Sequence, residues 1–171
     1  DRIGDWSSDV CSSDLYYSKH STKKFISYLK EVKPDIVHIH NLHSNYINLK
    51  ILFTYLGKND IATVITLHDC WMFTGKCTYY VPANCKKWQQ ECGSCPLLYI
   101  DNINKTYLFD RTRKMFNDKK KLVYDLKKLT VVGVSKWVSN EAKKSFLSTK
   151  NIVPIYRSEE HTSELQSPIR S

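Results

Sequence analysis

A pair of polar or ionisable residues follows each of three short apolar runs that the sequence predicts to be β-strands. After the second run, at residues 62–67, come His68 and Asp69. Imidazole rings at the end of a strand can hydrogen-bond sugar hydroxyls or phosphate, and they can transfer protons near neutral pH. We therefore take His68 and Asp69 as the candidate catalytic residues. The pairs that follow the first and third runs are the candidate substrate-binding residues: His40, Asn41, Ser135 and Lys136.

Several of these residues also have a structural interpretation. In a strand His38 and His40 point to the same side, and His38 in particular is expected to be a packed histidine of the core. Asp69 could cap a turn. Ser135 is placed to be the N-cap of a helix, whose first amides could still receive a phosphate.

Four cysteines fall in the long segment after the second run, with the spacing C-x7-C-x6-C-x2-C. The last two belong to Cys-Gly-Ser-Cys-Pro, whose small residues let two sulfurs turn to one side. Four thiolates can close a tetrahedral zinc site, which would be structural because no ligand position stays open. Disulfides are the rival interpretation, and small apolar packing is the third. The candidate metal ligands are Cys77, Cys85, Cys92 and Cys95.

Alternation of apolar runs and helical patterns predicts an α/β fold. The predicted strands are nearly continuous in apolar or β-branched residues, as in a parallel sheet buried on both faces. We expect a Rossmann-like, doubly wound parallel sheet with a Cys-rich loop insertion, and ligands beyond the carboxyl ends of its strands. The predicted strands are residues 35–39, 62–67, 129–134 and 152–155. The predicted helices are residues 21–32, 45–56 (ended by Gly57), 107–126 and 136–147.

The chain is basic, with a net charge of +9. Nine of its basic residues fall between Lys105 and Lys128. Such a segment is either a solvated helix face or a surface that contacts anionic membrane. No apolar run approaches the roughly 18–20 residues of a membrane-spanning helix.

The two ends of the chain are related to each other as DNA. A back-translation of residues 157–171 has a reverse complement that encodes almost all of residues 1–15. Protein termini have no physical reason to be related in this way, and the shared stretch resembles translated sequencing adapter. We therefore interpret residues 1–15 and 157–171 as non-native tails. The natural segment would be residues 16–156, which is more basic than the whole chain because the tails are mostly acidic.

Five segments together resemble the N-terminal domain of GT-B-fold glycosyltransferases of the family-4 type, in particular those that build bacterial exopolysaccharide. The segments are KPDIVHIHNLHSNYINL, VITLHDCWMFTGKC, CGSCPLL, LFDRT and VGVSKWVSN. The resemblance implies two Rossmann-like domains around a cleft, with the acceptor on the N-terminal side and the nucleotide-sugar on the C-terminal side. In that family a histidine in a T-x-H context reaches the transferred sugar or the acceptor, and Thr66-Leu67-His68 matches it. The His-x-His-Asn and Ser-Lys-Trp segments match residues 38–41 and 135–137.

The sequence departs from the family pattern at both ends. The family's first strand with its glycine-rich loop, and the E-x7-E segment that binds the donor, are not found. We therefore expect an incomplete N-terminal half of a GT-B fold that is inactive alone. The acceptor would be lipid-linked, and the protein cytoplasmic, on the inner face of the plasma membrane.

A different class of protein also fits part of the pattern. A basic α/β domain with a zinc knuckle could bind nucleic acid. No standard nucleic-acid-binding motif is present, and the basic residues are concentrated away from the strand-end histidines, so nucleic acid is the less favoured partner. A nucleotide-sugar oxidoreductase is weakened by the lack of a G-x-G-x-x-G segment.

Overall fold

A computed structural model describes residues 16, 18–43, 46–98 and 109–156 of the chain. Both predicted tails, at residues 1–15 and 157–171, lie outside the described residues, and their interpretation stays a prediction. The helices are α1 (Lys19–Val32), α2 (Leu49–Lys58), α3 (Thr112–Asp125) and α4 (Lys136–Ala142). The strands are β1 (Ile36–His40), β2 (Ala62–Leu67), β3 (Leu129–Gly133) and β4 (Asn151–Pro154).

The four strands form one parallel sheet in the order β1-β2-β3-β4. The predicted α/β class with a Rossmann-like parallel sheet is thus confirmed. Strand order follows chain order, and the described strands contain no reversal of that order. Because all four strands run the same way, their carboxyl ends share one edge of the sheet. Helices α1, α2 and α3 pack side by side, with α2 in the middle.

Burial differs between the central strands and the first strand. Strands β2 and β3, in the middle of the sheet, are largely buried. Strand β1 alternates instead, with Val37 and Ile39 buried and Ile36 61% exposed. The expectation that every strand would be buried on both faces was therefore wrong for β1, one of the two edge strands of the described sheet; β4, at the other edge, is only half-buried.

Helix boundaries differ from the predicted ones for local reasons. Helix α2 begins where the Asn48 side chain accepts a hydrogen bond from the Ile51 amide at 3.0 Å, and it continues through Gly57 to Lys58. Gly57 does not end the helix. It lies close to the backbone of Asp125, whose carbonyl oxygen would be 3.1 Å from a Cβ atom added at Gly57. Helix α4 is shorter than predicted, because a 3-10 turn at Phe146–Thr149 replaces its last part.

The basic segment around α3 is mostly, but not wholly, a solvated surface. Lys105 lies outside the described residues, and seven of the other eight basic side chains are exposed. Lys119 is fully buried. In the described ranges, no helix has both the length and the apolar character that spanning a bilayer would require.

Candidate functional site at the carboxyl edge of the sheet

The parallel pairing of β1 with β2 brings two of the predicted histidines into contact. His40 pairs with Thr66, so the residues that follow each strand meet at the same edge. The Nδ1 atom of His40 lies 3.0 Å from the Nε2 atom of His68. One ring must donate and the other accept, so at least one of the two imidazoles is neutral in this arrangement.

His38 extends this row of rings. Its ring centroid lies 4.3 Å from that of His40, and its Nε2 atom is hydrogen-bonded to the Thr66 hydroxyl at 2.8 Å. The ring has a protein partner, as expected of a structural histidine. It lies on the exposed face of β1, however, so the expectation of a core histidine was wrong.

Asp69 has two hydrogen-bond partners. One fits its structural interpretation as the cap of a turn, and the other is a histidine of the candidate site. Its Oδ1 atom accepts a hydrogen bond from the Trp71 amide at 2.8 Å, which caps the turn after β2. Its Oδ2 atom lies 2.9 Å from the Nε2 atom of His43, and both side chains are 26% exposed. A carboxylate in this position holds the imidazole in the tautomer that carries hydrogen on Nε2.

His43 was not among the residues selected from the sequence. The sequence offered one signal for it, because His43 closely follows His38 and His40 in the same short segment. The backbone of Asn41 has a φ of 41°, in the left-handed region that asparagine tolerates better than most residues. The Tyr46 hydroxyl donates to the Asn41 carbonyl at 2.6 Å, which fixes this turn.

A small pocket lies between these side chains. Its walls include the candidate residues Asn41, His68 and Asp69 together with His43 and Trp71. Trp71 is 3% exposed, and its indole Nε1–H has no hydrogen-bond partner in the part of the chain that the structure describes. A buried donor without a partner is costly, so this indole is a further candidate to bind a ligand hydroxyl.

Ser135 and Lys136 lie one strand further along the edge. The Val134 amide donates to the Leu67 carbonyl at 3.3 Å, so the end of β3 adjoins the end of β2. The Ser135 hydroxyl accepts from the Val138 amide at 3.2 Å, as expected of an N-cap. The Lys136 ammonium lies 5.8 Å from the ring centroid of Tyr156. These contacts are to α4 and the end of β4, and they do not test the predicted substrate binding.

The four candidate metal ligands come together in the loop that follows β2. Their side chains line one apolar pocket with Trp88, and none of them forms a disulfide. The thiol of Cys77 is hydrogen-bonded to Cys95, which raises the pKa of Cys77 and lowers that of Cys95 to about 7. Burial raises the pKa of Cys92 to about 11. Across the described residues, no three His, Cys, Asp or Glu side chains already stand in the geometry of a bound metal.

Cys70 does not belong to this group of four cysteines. It is fully buried, and burial raises the pKa of its thiol to about 12. Cys70 is thus a packed residue, as its position beside Trp71 predicted. The aromatic residues around the cysteine loop are also mostly packed, with the exception of Tyr79, whose ring lies 6.2 Å from that of the partly exposed Trp137.

Comparison with known proteins shows a likeness to a glycosyl transferase. No family model and no solved structure matches the chain. Over 98 residues the chain is 32% identical to WcaC of Escherichia coli (strain K12), whose name describes a glycosyl transferase of colanic acid biosynthesis. The match covers 54% of this chain but only 23% of WcaC, so the chain corresponds to about a quarter of that protein. The predicted relationship to a glycosyltransferase is supported by this likeness.

Proposed function

We propose that this chain is the acceptor-side part of a GT-B-fold, family-4-type glycosyltransferase of cell-surface polysaccharide synthesis. The parent enzyme would be a hexosyltransferase that moves a sugar from a nucleotide-sugar donor to a glycan acceptor. The observation that carries the proposal is the contact between His40 and His68 beside a pocket at the carboxyl edge of the sheet. The likeness to WcaC supports the reaction class.

The histidine pair suits the proton transfer that the reaction requires. In glycosyl transfer the acceptor hydroxyl loses a proton as its oxygen bonds to the anomeric carbon, and the nucleotide leaves with the electrons of the broken bond. His68 is proposed to bind this hydroxyl and take up its proton, with His40 holding the ring of His68 through the hydrogen bond between them. Asn41 and the indole N–H of Trp71 would bind other hydroxyls of the acceptor.

Asp69 is proposed to act through His43. The carboxylate orients the His43 ring toward the pocket that both residues line, while it also caps the turn that carries Trp71. The nucleotide-sugar would be bound mainly by a second domain. Ser135 and Lys136, at the end of β3, are proposed to face it across the cleft.

The acceptor is proposed to be carried on a lipid diphosphate at the inner face of the plasma membrane. Four lysines support this proposal, because they outnumber the two aspartates that line the same groove between α1, α2 and α3, and the net positive charge would attract anionic head groups. They are Lys19, Lys50, Lys114 and Lys121. Co-sedimentation with vesicles that contain phosphatidylglycerol tests this contact. Binding that is equal with neutral vesicles, or that is insensitive to salt, would contradict it.

The gene itself gives the first test of the proposed function. Sequencing of the source DNA across residues 16 and 156 should show a reading frame that continues past Tyr156 into a second α/β domain with two glutamates eight positions apart. The full-length product should then transfer sugar to a lipid-linked acceptor, and the 171-residue chain alone should not. A frame that stops near Tyr156, or tails that prove genomic, would count against the proposal and favour a separate binding domain, which a filter-binding assay with nucleic acid at several salt concentrations would examine.

A further inference from the structure

The cysteine loop occupies residues 68–111, between β2 and α3, and its regular structure within the described residues consists of short 3-10 turns. A segment of this length rarely keeps one conformation without a cross-link or a ligand. Four of its cysteines nevertheless gather around one pocket, although they are spread from Cys77 to Cys95.

The turn between the last two cysteines has the backbone of a metal-binding knuckle. Gly93 has a φ of 148° and Ser94 a φ of 45°, which turns the chain back on itself between Cys92 and Cys95. Two amides point at sulfur: the Gly75 amide donates to the Cys92 sulfur at 3.1 Å, and the Leu97 amide donates to the Cys95 sulfur. Amide donors of this kind stabilise thiolates more than thiols, and they support metal ligands in the same way.

The contacts of the loop with α3 hold this turn in place. The Asp110 carboxylate accepts hydrogen bonds from the Cys95 amide at 2.9 Å and from the Thr112 amide at 2.8 Å. Gly75 packs against Cys92 and Thr112 so closely that an added Cβ would lie 3.0 Å from the Cys92 Cβ atom and 2.6 Å from the Thr112 carbonyl oxygen. The Cys92–Cys95 turn is therefore positioned by several independent contacts.

Two buried lysines lie near these sulfurs. Lys119 is 0% exposed and Lys76 is 5% exposed. Lys119 interacts electrostatically with Cys92, and Lys76 interacts with Cys95. Positive charge beside a sulfur favours the thiolate, which is the form that binds metal.

We propose that Cys77, Cys85, Cys92 and Cys95 bind one zinc ion that fixes the loop between β2 and α3. Four protein ligands leave no open position, so the ion is structural. The four cysteines already line one pocket, in which Cys77 is hydrogen-bonded to Cys95. This inference does not depend on the proposed sugar transfer.

The experiment uses the full 171-residue chain, purified under reducing conditions without chelator. Elemental analysis should find one zinc per chain. Replacement by Co²⁺ should give the visible absorption of tetrahedral cobalt with sulfur-to-metal charge transfer. Cys85→Ser and Cys92→Ser should each weaken zinc binding by more than about 100-fold. The matched control Cys70→Ala removes a buried thiol outside the group, and it should keep one zinc per chain.

Thiol titration in denaturant separates the remaining outcomes and does not depend on how well each variant folds. After chelation of the zinc-containing protein, all its cysteines should titrate as reduced thiols, with no disulfide. Wild-type protein that contains no metal as purified, with every cysteine reactive before any chelator is added, would overturn the proposal, and so would a pair of disulfides among the four cysteines. Zinc that stays bound with unchanged affinity in Cys85→Ser and Cys92→Ser would overturn the assignment of the ligands.

Discussion

The Nδ1 atom of His40 lies 3.0 Å from the Nε2 atom of His68, although 28 positions separate the two residues in the chain. The contact is a consequence of register, because the ladder between β1 and β2 pairs His40 with Thr66. A slip of one residue would turn His40 to the other face of the sheet. The proposed chemistry therefore depends on the pairing of two strands.

Asp69→Asn should lower activity of the full-length enzyme without unfolding it. The asparagine oxygen can still accept from the Trp71 amide, but its NH2 group would meet His43 Nε2 and reverse the tautomer of the ring. We expect a loss of roughly 10-fold or more in kcat, with a change in the free energy of unfolding below about 1 kcal/mol.

Two further variants distinguish the effect of Asp69 on the orientation of His43 from its effect on the stability of the fold. Asp69→Ala also removes the cap, so it should cost about 1 kcal/mol more in stability than Asp69→Asn. In the double variant Asp69→Asn/His43→Ala, kcat should fall no further than in Asp69→Asn. Additive losses in kcat would show that Asp69 does not act through His43.

Lys119→Met should destabilise the chain. The Lys119 ammonium is fully buried and donates to the carbonyls of Trp71 at 2.5 Å and Thr74 at 2.9 Å. Methionine fills the space but leaves both carbonyls without this donor, which should cost about 2 kcal/mol or more in urea unfolding. The exposed neighbour provides the control, since Lys120→Met should change the free energy of unfolding by less than about 0.5 kcal/mol. Equal effects of the two substitutions would contradict the buried position.

Glu141→Gln should have a pH-dependent effect on stability. Burial opposes ionisation of Glu141, but hydrogen bonds from Lys144 and Tyr80 more than offset this and lower its pKa. A carboxyl whose folded pKa lies below its unfolded value stabilises the fold above the unfolded pKa, and this contribution disappears as the pH falls through the folded pKa.

The measurement is urea unfolding of wild type and Glu141→Gln at neutral pH and at a series of acidic pH values. The variant should be less stable by about 1–2 kcal/mol at neutral pH. That difference should shrink as the pH falls below the ordinary glutamate value of about 4.3. A difference that stays constant with pH would show that the charge of Glu141 contributes nothing.

Gly133→Ala should strongly destabilise the junction of β3 and α4. An added Cβ would lie 2.2 Å from the Ser139 hydroxyl oxygen and 2.9 Å from the Ser139 amide nitrogen. Since the backbone cannot move away easily, we expect a loss of more than about 2 kcal/mol, which Ser139→Ala should relieve only in part. Gly57→Ala, in the last turn of α2, is the comparison and should cost much less, because an added Cβ there has only one tight contact, 3.1 Å from the Asp125 carbonyl oxygen. Full rescue by Ser139→Ala would contradict the close approach of the backbones.

The sheet could be predicted from the sequence because apolar runs and helical patterns alternate clearly. The contact of His40 with His68 followed from that topology. The contact of His43 with Asp69 did not, since it depends on the left-handed backbone of Asn41. The periodicity of apolar residues does not determine the direction of the side chain that follows such a turn.

Lys119 shows how composition can mislead. It stands in a run of three lysines, which is typical of a solvated surface. Helical spacing places it four residues after Met115 and three before Leu122, on the buried face of α3. Attention to that spacing would have predicted its burial. Its two carbonyl partners come from the turn after β2, and only the tertiary structure reveals them.

The most direct test of the central claim is the value of kcat/KM for sugar transfer by full-length His68→Ala. The account predicts a loss of roughly 100-fold or more. His40→Ala should also lose activity, and the double variant should lose less than the sum of the two effects in free energy. His20→Ala, an exposed histidine on α1, should match wild type. Near-wild-type turnover of His68→Ala would contradict the account, because the histidine pair would then have only a packing role.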